Sequence, residues 1–202
     1  LVRFFNRQLE LWDDARKRYT DLKTVVTKEL EDEDTGIILK AQFNPARIVS
    51  TAASIDKKAI AARPCFLCKD NRLKEQMVKP LHTAEAETAM DLLVNPFPIL
   101  PEHFTIPARE HQPQNISGVY GEIYHVLDCY PELTVFYNGP KCGASCPDHL
   151  HLQAGTTGVV PIQAQWARIS RTARIVVSVA DGEDISIING YVTPAMLVRA
   201  RS

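Results

Sequence analysis

Apolar residues near the start of the chain recur at spacings of three and four. Leu1, Phe5, Leu9, Trp12, Ala15 and Tyr19 form one stripe, which predicts an amphipathic helix over residues 1–20. The pattern then shortens. "TVVTKEL", "GIILKAQF" and "RIVSTAA" are runs rich in β-branched residues, separated by "EDEDTG" and "NPA", and they predict strands joined by turns. "MDLLVNPFPILPEHFTIPA" adds two apolar runs whose prolines permit extended backbone and disfavour helix between them. In "SGVYGEIYHVLDCYP", Val119, Ile123, Val126, Leu127 and Tyr130 return to helical spacing until Pro131 ends it. "LTVFYN" and "HLHLQAG" predict strands again, and "RIVVSVADGEDISIINGYV" predicts a hairpin turning at Asp181-Gly182. The expected fold class is α+β: a mainly antiparallel sheet with one packed helix and the N-terminal amphipathic helix.

The 202 residues suffice for one ample core, and with no internal repeat or clear linker, residues 1–202 read as one domain. Apolar residues at 45% and charged residues at 23% are ordinary for a globular chain and argue against extensive disorder. A formal net charge of −1 provides no global attraction to nucleic acid or to an anionic membrane, so any phosphate must be met locally. No apolar run approaches the roughly eighteen residues of a membrane span. "LVRFFNRQLELWDDARKRY" carries charge throughout, unlike a signal peptide. The expectation is a cytoplasmic protein.

Candidate chemistry concentrates in "NGPKCGASCPDHLHLQAG", residues 138–155. Side chains alternate along a strand, so His149, His151 and Gln153 share one face while Leu150 and Leu152 share the other. The leucines mark the buried face, leaving the histidine face either merely solvated or functional. Upstream, Asn138 opens a loop whose glycines, Gly143 among them, let backbone N–H groups approach an anion, and Ser145 adds a hydroxyl. A neutral imidazole beside such donors is equipped to attack phosphorus, with His151 as nucleophile, Gln153 on a non-bridging oxygen and Ser145 stabilising developing charge.

Five cysteines include the pair Cys65-x-x-Cys68 in "RPCFLCKDNR". That spacing suits zinc but equally a buried or redox pair, since a tetrahedral site needs two further ligands. His103 in "PEHFTIP" and His149, expected on neighbouring strands, are the candidates to complete a Cys2His2 site. His82, His111 and His125 read as structural or solvent-facing, Cys129 as helix packing, and Cys142 and Cys146 as flanking the loop.

The histidine strand and its glycine–serine loop resemble the active-site segment of the histidine-triad (HIT-like) superfamily. The likeness is to its transferase branches: galactose-1-phosphate uridylyltransferases, diadenosine-tetraphosphate phosphorylases and GDP-hexose phosphorylases. "CFLCKDNR" resembles the metal-binding segment of the uridylyltransferases, and "NPFPILPEHFTIPAREH" the strand–turn–strand before the helix. The resemblance covers about residues 42–155, leaving 156–202 as an extension. It implies a HIT-like fold and nucleotidyl transfer or phosphorolysis through a nucleotidyl-His151 intermediate. The donor would be a nucleoside diphosphate sugar or a dinucleoside polyphosphate. The alternatives are a HIT-type nucleotide hydrolase, against which Gln153 argues because hydrolases usually carry a third histidine there, and a non-catalytic zinc-stabilised nucleotide-binding module. The resemblance further implies a structural Zn2+ held by Cys65, Cys68, His103 and His149, base and ribose contacts from Phe97 and Asn95, a loop role for Asn138, and a phosphate contact from Arg47. A nucleotide or nucleotide-sugar substrate and a homodimer follow as expectations. One departure concerns the family's serine, three residues before the first histidine: that place is held here by Cys146, with Ser145 one step earlier.

Overall fold

In the computed structural model, which describes residues 1–48, 56–82 and 87–200, two helices open the chain: α1, Val2–Leu11, and α2, Asp13–Leu22. The stripe over residues 1–20 predicts one helix; the backbone instead extends at Trp12 (φ −132°, ψ 93°), a buried side chain. Asp13 and Asp14 follow in the first turn of α2, where carboxylates favour the positive end of a new helix over continuation of the old one. The stripe stays buried through Phe5, Ala15, Tyr19 and Leu22. Gln8 is buried with it because both ends of its amide are bonded, donating to the Glu75 carbonyl at 2.8 Å and accepting from the Met77 N–H at 2.6 Å.

Strands β1 (Val26–Glu31) and β2 (Ile38–Phe43) follow. Pro45–Arg47 forms a 3-10 turn, so the start of the strand expected from "RIVSTAA" is helical, and the rest of it lies outside the described residues. Helix α3, Lys57–Ala62, begins at Asp56, whose carboxylate accepts from the N–H groups of Lys58 and Ala59. Next come β3 (Lys79–His82), β4 (Glu87–Val94), β5 (His103–Pro107), α4 (Tyr120–Cys129), β6 (Leu133–Phe136) and β7 (His151–Thr156).

These elements, apart from β1 and β2, belong to the first of two compact units, Leu1–Val25 with Asn44–Thr157. Its five strands form one sheet in the order β3-β4-β5-β7-β6, every pair antiparallel. Leu92, Val94, Phe104, Ile106, Leu150 and Leu152 build its core with Val126 from α4 and with Phe5 and Tyr19 from the opening helices. Each fully buried leucine contributes on the order of 1.5–3 kcal/mol, so Leu150 and Leu152 hold the histidine strand in one register. In that register Pro107 faces His151, Thr105 faces Gln153 and His103 faces Gly155. Gly155 leaves little space for a side chain: a Cβ there would overlap Leu100 Cδ1 and lie 3.1 Å from the Glu102 carbonyl, so the Leu100 side chain would have to move.

The second unit, Val26–Phe43 with Gly158–Ser202, holds the antiparallel pair β1–β2, the short helices α5 (Pro161–Ala164) and α6 (Trp166–Ile169), and the strands β8 (Ala173–Ala180), β9 (Glu183–Ile188) and β10 (Ala195–Arg199). β8 and β9 form the expected hairpin, with Gly182 at φ 78° in its turn, and β10 completes an antiparallel sheet in the order β10-β9-β8. Ile37, Ile169 and Ile188 form a small core of its own. Thus residues 1–202, read as one domain, resolve into two compact units. The fold class is the expected α+β one with mainly antiparallel sheets. Among the described residues no helix is long and apolar enough to cross a membrane.

Candidate functional site

The histidines at the start of β7 are not on a solvated face: His149 is 0% and His151 6% exposed. Both are buried because their polar atoms are bonded. The His151 Nδ1–H donates to the His149 carbonyl at 2.8 Å, which leaves the lone pair on Nε2. Burial pushes the His151 pKa below its ordinary value, so the ring is neutral at neutral pH. A neutral imidazole locked in one tautomer is chemically a nucleophile or a base acting through Nε2.

Beside it, four donors converge: the thiols of Cys65 and Cys68 and the Nδ1 atoms of His111 and His149 lie within 4.8 Å of one another. His149 Nδ1 is 3.3 Å from Cys65 Sγ and 3.5 Å from Cys68 Sγ, and His111 Nδ1 is 3.2 Å from both Cys68 Sγ and His149 Nδ1. With Zn–S near 2.3 Å and Zn–N near 2.0–2.1 Å, a tetrahedron has edges of roughly 3.3–3.8 Å, and these four separations of 3.2–3.5 Å lie close to that range. The His149 Nε2–H donates to the Ala108 carbonyl at 2.8 Å and so aims the Nδ1 lone pair at the thiols. The cysteine turn is held by its own backbone, Cys68 N–H to Cys65 carbonyl at 3.2 Å, and by Asn71 Nδ2, which donates to the same carbonyl at 3.0 Å. Arg72 ties it to β4, donating from Nε to the Leu67 carbonyl and from a terminal nitrogen to Asp91 at 2.8 Å.

Against the expected set of Cys65, Cys68, His103 and His149, the structure brings His111, and not His103, to the cysteine–histidine cluster. The antiparallel register puts His103 opposite Gly155, at the far end of β7 from His149, while the chain leaving β5 brings His111 back beside His149. Instead, His103 meets Gln153. Its Nε2–H donates to Gln153 Oε1 at 3.0 Å, and its Nδ1 accepts from the Ile99 N–H at 3.3 Å. Burial pushes the His103 pKa down to about 4. With its oxygen engaged, Gln153 offers a substrate its NH2 group, a donor suited to a phosphoryl oxygen.

The loop from Asn138 to Cys146 joins β6 to the histidine strand. Gly143 has φ 87°, a conformation that favours glycine. Ser145 is half-buried, whereas Cys146 is buried with its sulfur 3.8 Å from Cys65 Sγ and 3.4 Å from Asp148 Oδ1. Of the remaining expected residues, Asn95 is engaged within its own turn, donating to Thr105 Oγ1 at 2.9 Å and accepting from the Phe97 N–H at 2.8 Å. Arg47 donates to the Phe97 carbonyl at 3.1 Å, and the Arg18 guanidinium covers the Phe97 ring at 4.4 Å. The side chain of His82 lies outside the described residues. Sequence reasoning missed His111, a loop histidine eight residues after β5 begins, and Gln114, a buried amide in a polar loop, and neither carried a signal of its own.

A family model described as "Domain of unknown function (DUF4922)" matches residues 4–156. No curated protein matches. Solved structures of yeast Ap4A phosphorylase Apa2 match at low identity. Its complex with Ap4A gives 18% identity, a TM-score of 0.50, and coverage of 91% of this chain and 67% of that one. Apa2 alone gives 15%, 0.50, 88% and 62%, and the AMP complex 21%, 0.44, 72% and 49%. The chain thus spans about half to two thirds of their length, and at these identities the likeness is one of fold.

Proposed function

The chain belongs to that DUF4922 family, and we propose that it is a nucleotidyltransferase of the phosphorylase kind, acting through a covalent nucleotidyl-His151 intermediate. The observation that carries this reading is the buried His151 ring, neutral and tautomer-locked by the His149 carbonyl, with Nε2 left for attack. In the first half-reaction Nε2 forms a bond to an α-phosphorus and the phosphoanhydride bond breaks, releasing the rest of the donor. In the second, inorganic phosphate or a sugar phosphate attacks the same phosphorus, breaks the P–N bond and leaves with the nucleotide.

Gln153, oriented by His103, donates its NH2 to a non-bridging oxygen, and backbone N–H groups of the Gly143 loop stabilise developing charge. Ser145 is the hydroxyl left for substrate, because Cys146 is turned toward Cys65 and Asp148. Asn138, Phe97, Asn95 and Arg47 frame the nucleotide in this reading. Cys65, Cys68, His111 and His149 would hold a zinc ion, which with four protein ligands has no open position and serves as a crosslink at the root of the histidine strand. The fold likeness to Ap4A phosphorylase favours a dinucleoside polyphosphate as donor over a nucleotide sugar.

The test is intact-protein mass spectrometry after incubation with diadenosine tetraphosphate, UDP-glucose or GDP-glucose, for wild type and His151→Ala. An acid-labile nucleoside-monophosphate adduct on wild type alone supports the mechanism, and the labelling donor names the nucleotide. Nucleotide binding with no adduct from any donor would refute it.

A further inference from the structure

β6 stops pairing with β7 at Phe136 opposite Gln153, two residues before His151 is reached going back along β7. Leu150 directs its carbonyl to the Ala108 N–H on the β5 side, so His151, the next residue, turns its N–H and C=O the other way, past the end of β6. Buried peptide groups in that position need partners. Gln114 provides both: its Oε1 accepts from the His151 N–H at 2.7 Å and its Nε2 donates to the His151 carbonyl at 3.0 Å. The same Nε2 donates to the Asn138 carbonyl at 2.8 Å, where the glycine loop begins. The main chain of Gln114 is held in turn, its carbonyl accepting from the Tyr137 hydroxyl at 2.9 Å.

We infer that Gln114 is a positioning residue that stands in for a missing strand residue and sets His151 and the glycine loop in one frame. The inference rests on the proposed role of His151 as nucleophile. The side chain must combine donor and acceptor at a carboxamide's reach. Glutamate of the same shape keeps the acceptor but turns an anion toward two carbonyls, and methionine keeps only the volume. Gln114 is 3% exposed, leaving no room for water to replace it. Both reaction partners are thereby fixed by one amide: the ring that attacks and the loop that would receive the phosphoryl group.

The test compares wild type, Gln114→Met and Gln114→Glu by three measurements: melting temperature, AMP affinity, and the single-turnover rate of His151 labelling from diadenosine tetraphosphate. A displacement of about 1 Å costs on the order of 100-fold in rate. Gln114→Met is expected to fold, to bind AMP within about 3-fold of wild type, and to label about 100-fold more slowly. If the methionine variant does not fold, Gln114→Glu is read in the same way. Labelling at the wild-type rate by a folded variant overturns the inference, as does an AMP affinity that falls as far as the rate. A wild type that never labels overturns the nucleophile reading itself, which keeps the two failures distinct.

Discussion

At the proposed zinc site, replacing His111 with alanine should weaken metal binding, whereas replacing His103 should leave it nearly unchanged. His111 supplies one of four donors whose spacings lie close to those of a tetrahedron, and each donor's position is set by contacts that survive the loss of this ring. Structural zinc sites bind with on the order of 10–16 kcal/mol, so an equal share per ligand is roughly 2.5–4 kcal/mol. At about 1.4 kcal/mol per tenfold, His111→Ala weakens binding roughly 100- to 1,000-fold. His103 donates to Gln153 and accepts from Ile99, so His103→Ala should leave affinity within about threefold, an indirect effect well below one lost ligand. Titration against a chromophoric chelator gives both affinities, and cobalt substitution reports geometry through the intensity of its visible bands. A His103 variant that loses the metal while the His111 variant keeps it would refute the assignment.

Other predictions follow from the same contacts. Unfolded, His103 takes a proton near pH 6.5; folded, burial holds that event to about pH 4. The neutral ring's contribution is therefore complete above pH 6.5 and is lost as pH falls toward 4, about 3 kcal/mol at most. Urea midpoints at neutral and acid pH should fall less for His103→Gln than for wild type, and equal losses would contradict the role of this ring. Gly155→Ala should destabilise the first unit by about 1–3 kcal/mol, read from thermal melts, because its methyl group has little space beside Leu100. His103→Ala should also slow transfer by about 10- to 100-fold with metal retained, since Gln153 loses its orientation; unchanged turnover would remove Gln153 from the phosphoryl site.

Much of the architecture was legible because periodicity reports which residues must be buried. The alternation through His151, Leu152 and Gln153 identified a strand, which begins at His151 and not at His149 as expected, and Asp181-Gly182 identified the hairpin. What stayed hidden depends on pairings between distant segments. Spacing could not say that His103 would face Gly155, because the register of β5 on β7 is settled by packing of Phe104, Ile106 and Leu152. Nor could it separate His111 from an ordinary loop histidine. Gln8 and Gln114 carry no signal in the sequence, yet both are buried because each bonds backbone groups of a distant segment. The break at Trp12 was masked by a stripe that runs through it without losing phase.

The four proposed donors come from three distant stretches of chain, with His149 lying 84 residues from Cys65 and 38 from His111. His111 follows β5 and His149 precedes β7, so the pairing of these two strands sets both imidazoles at one end of the sheet, within 3.2 Å of each other. An ion bound there would bridge those stretches only in the folded arrangement, so its binding free energy would add to the stability of the fold.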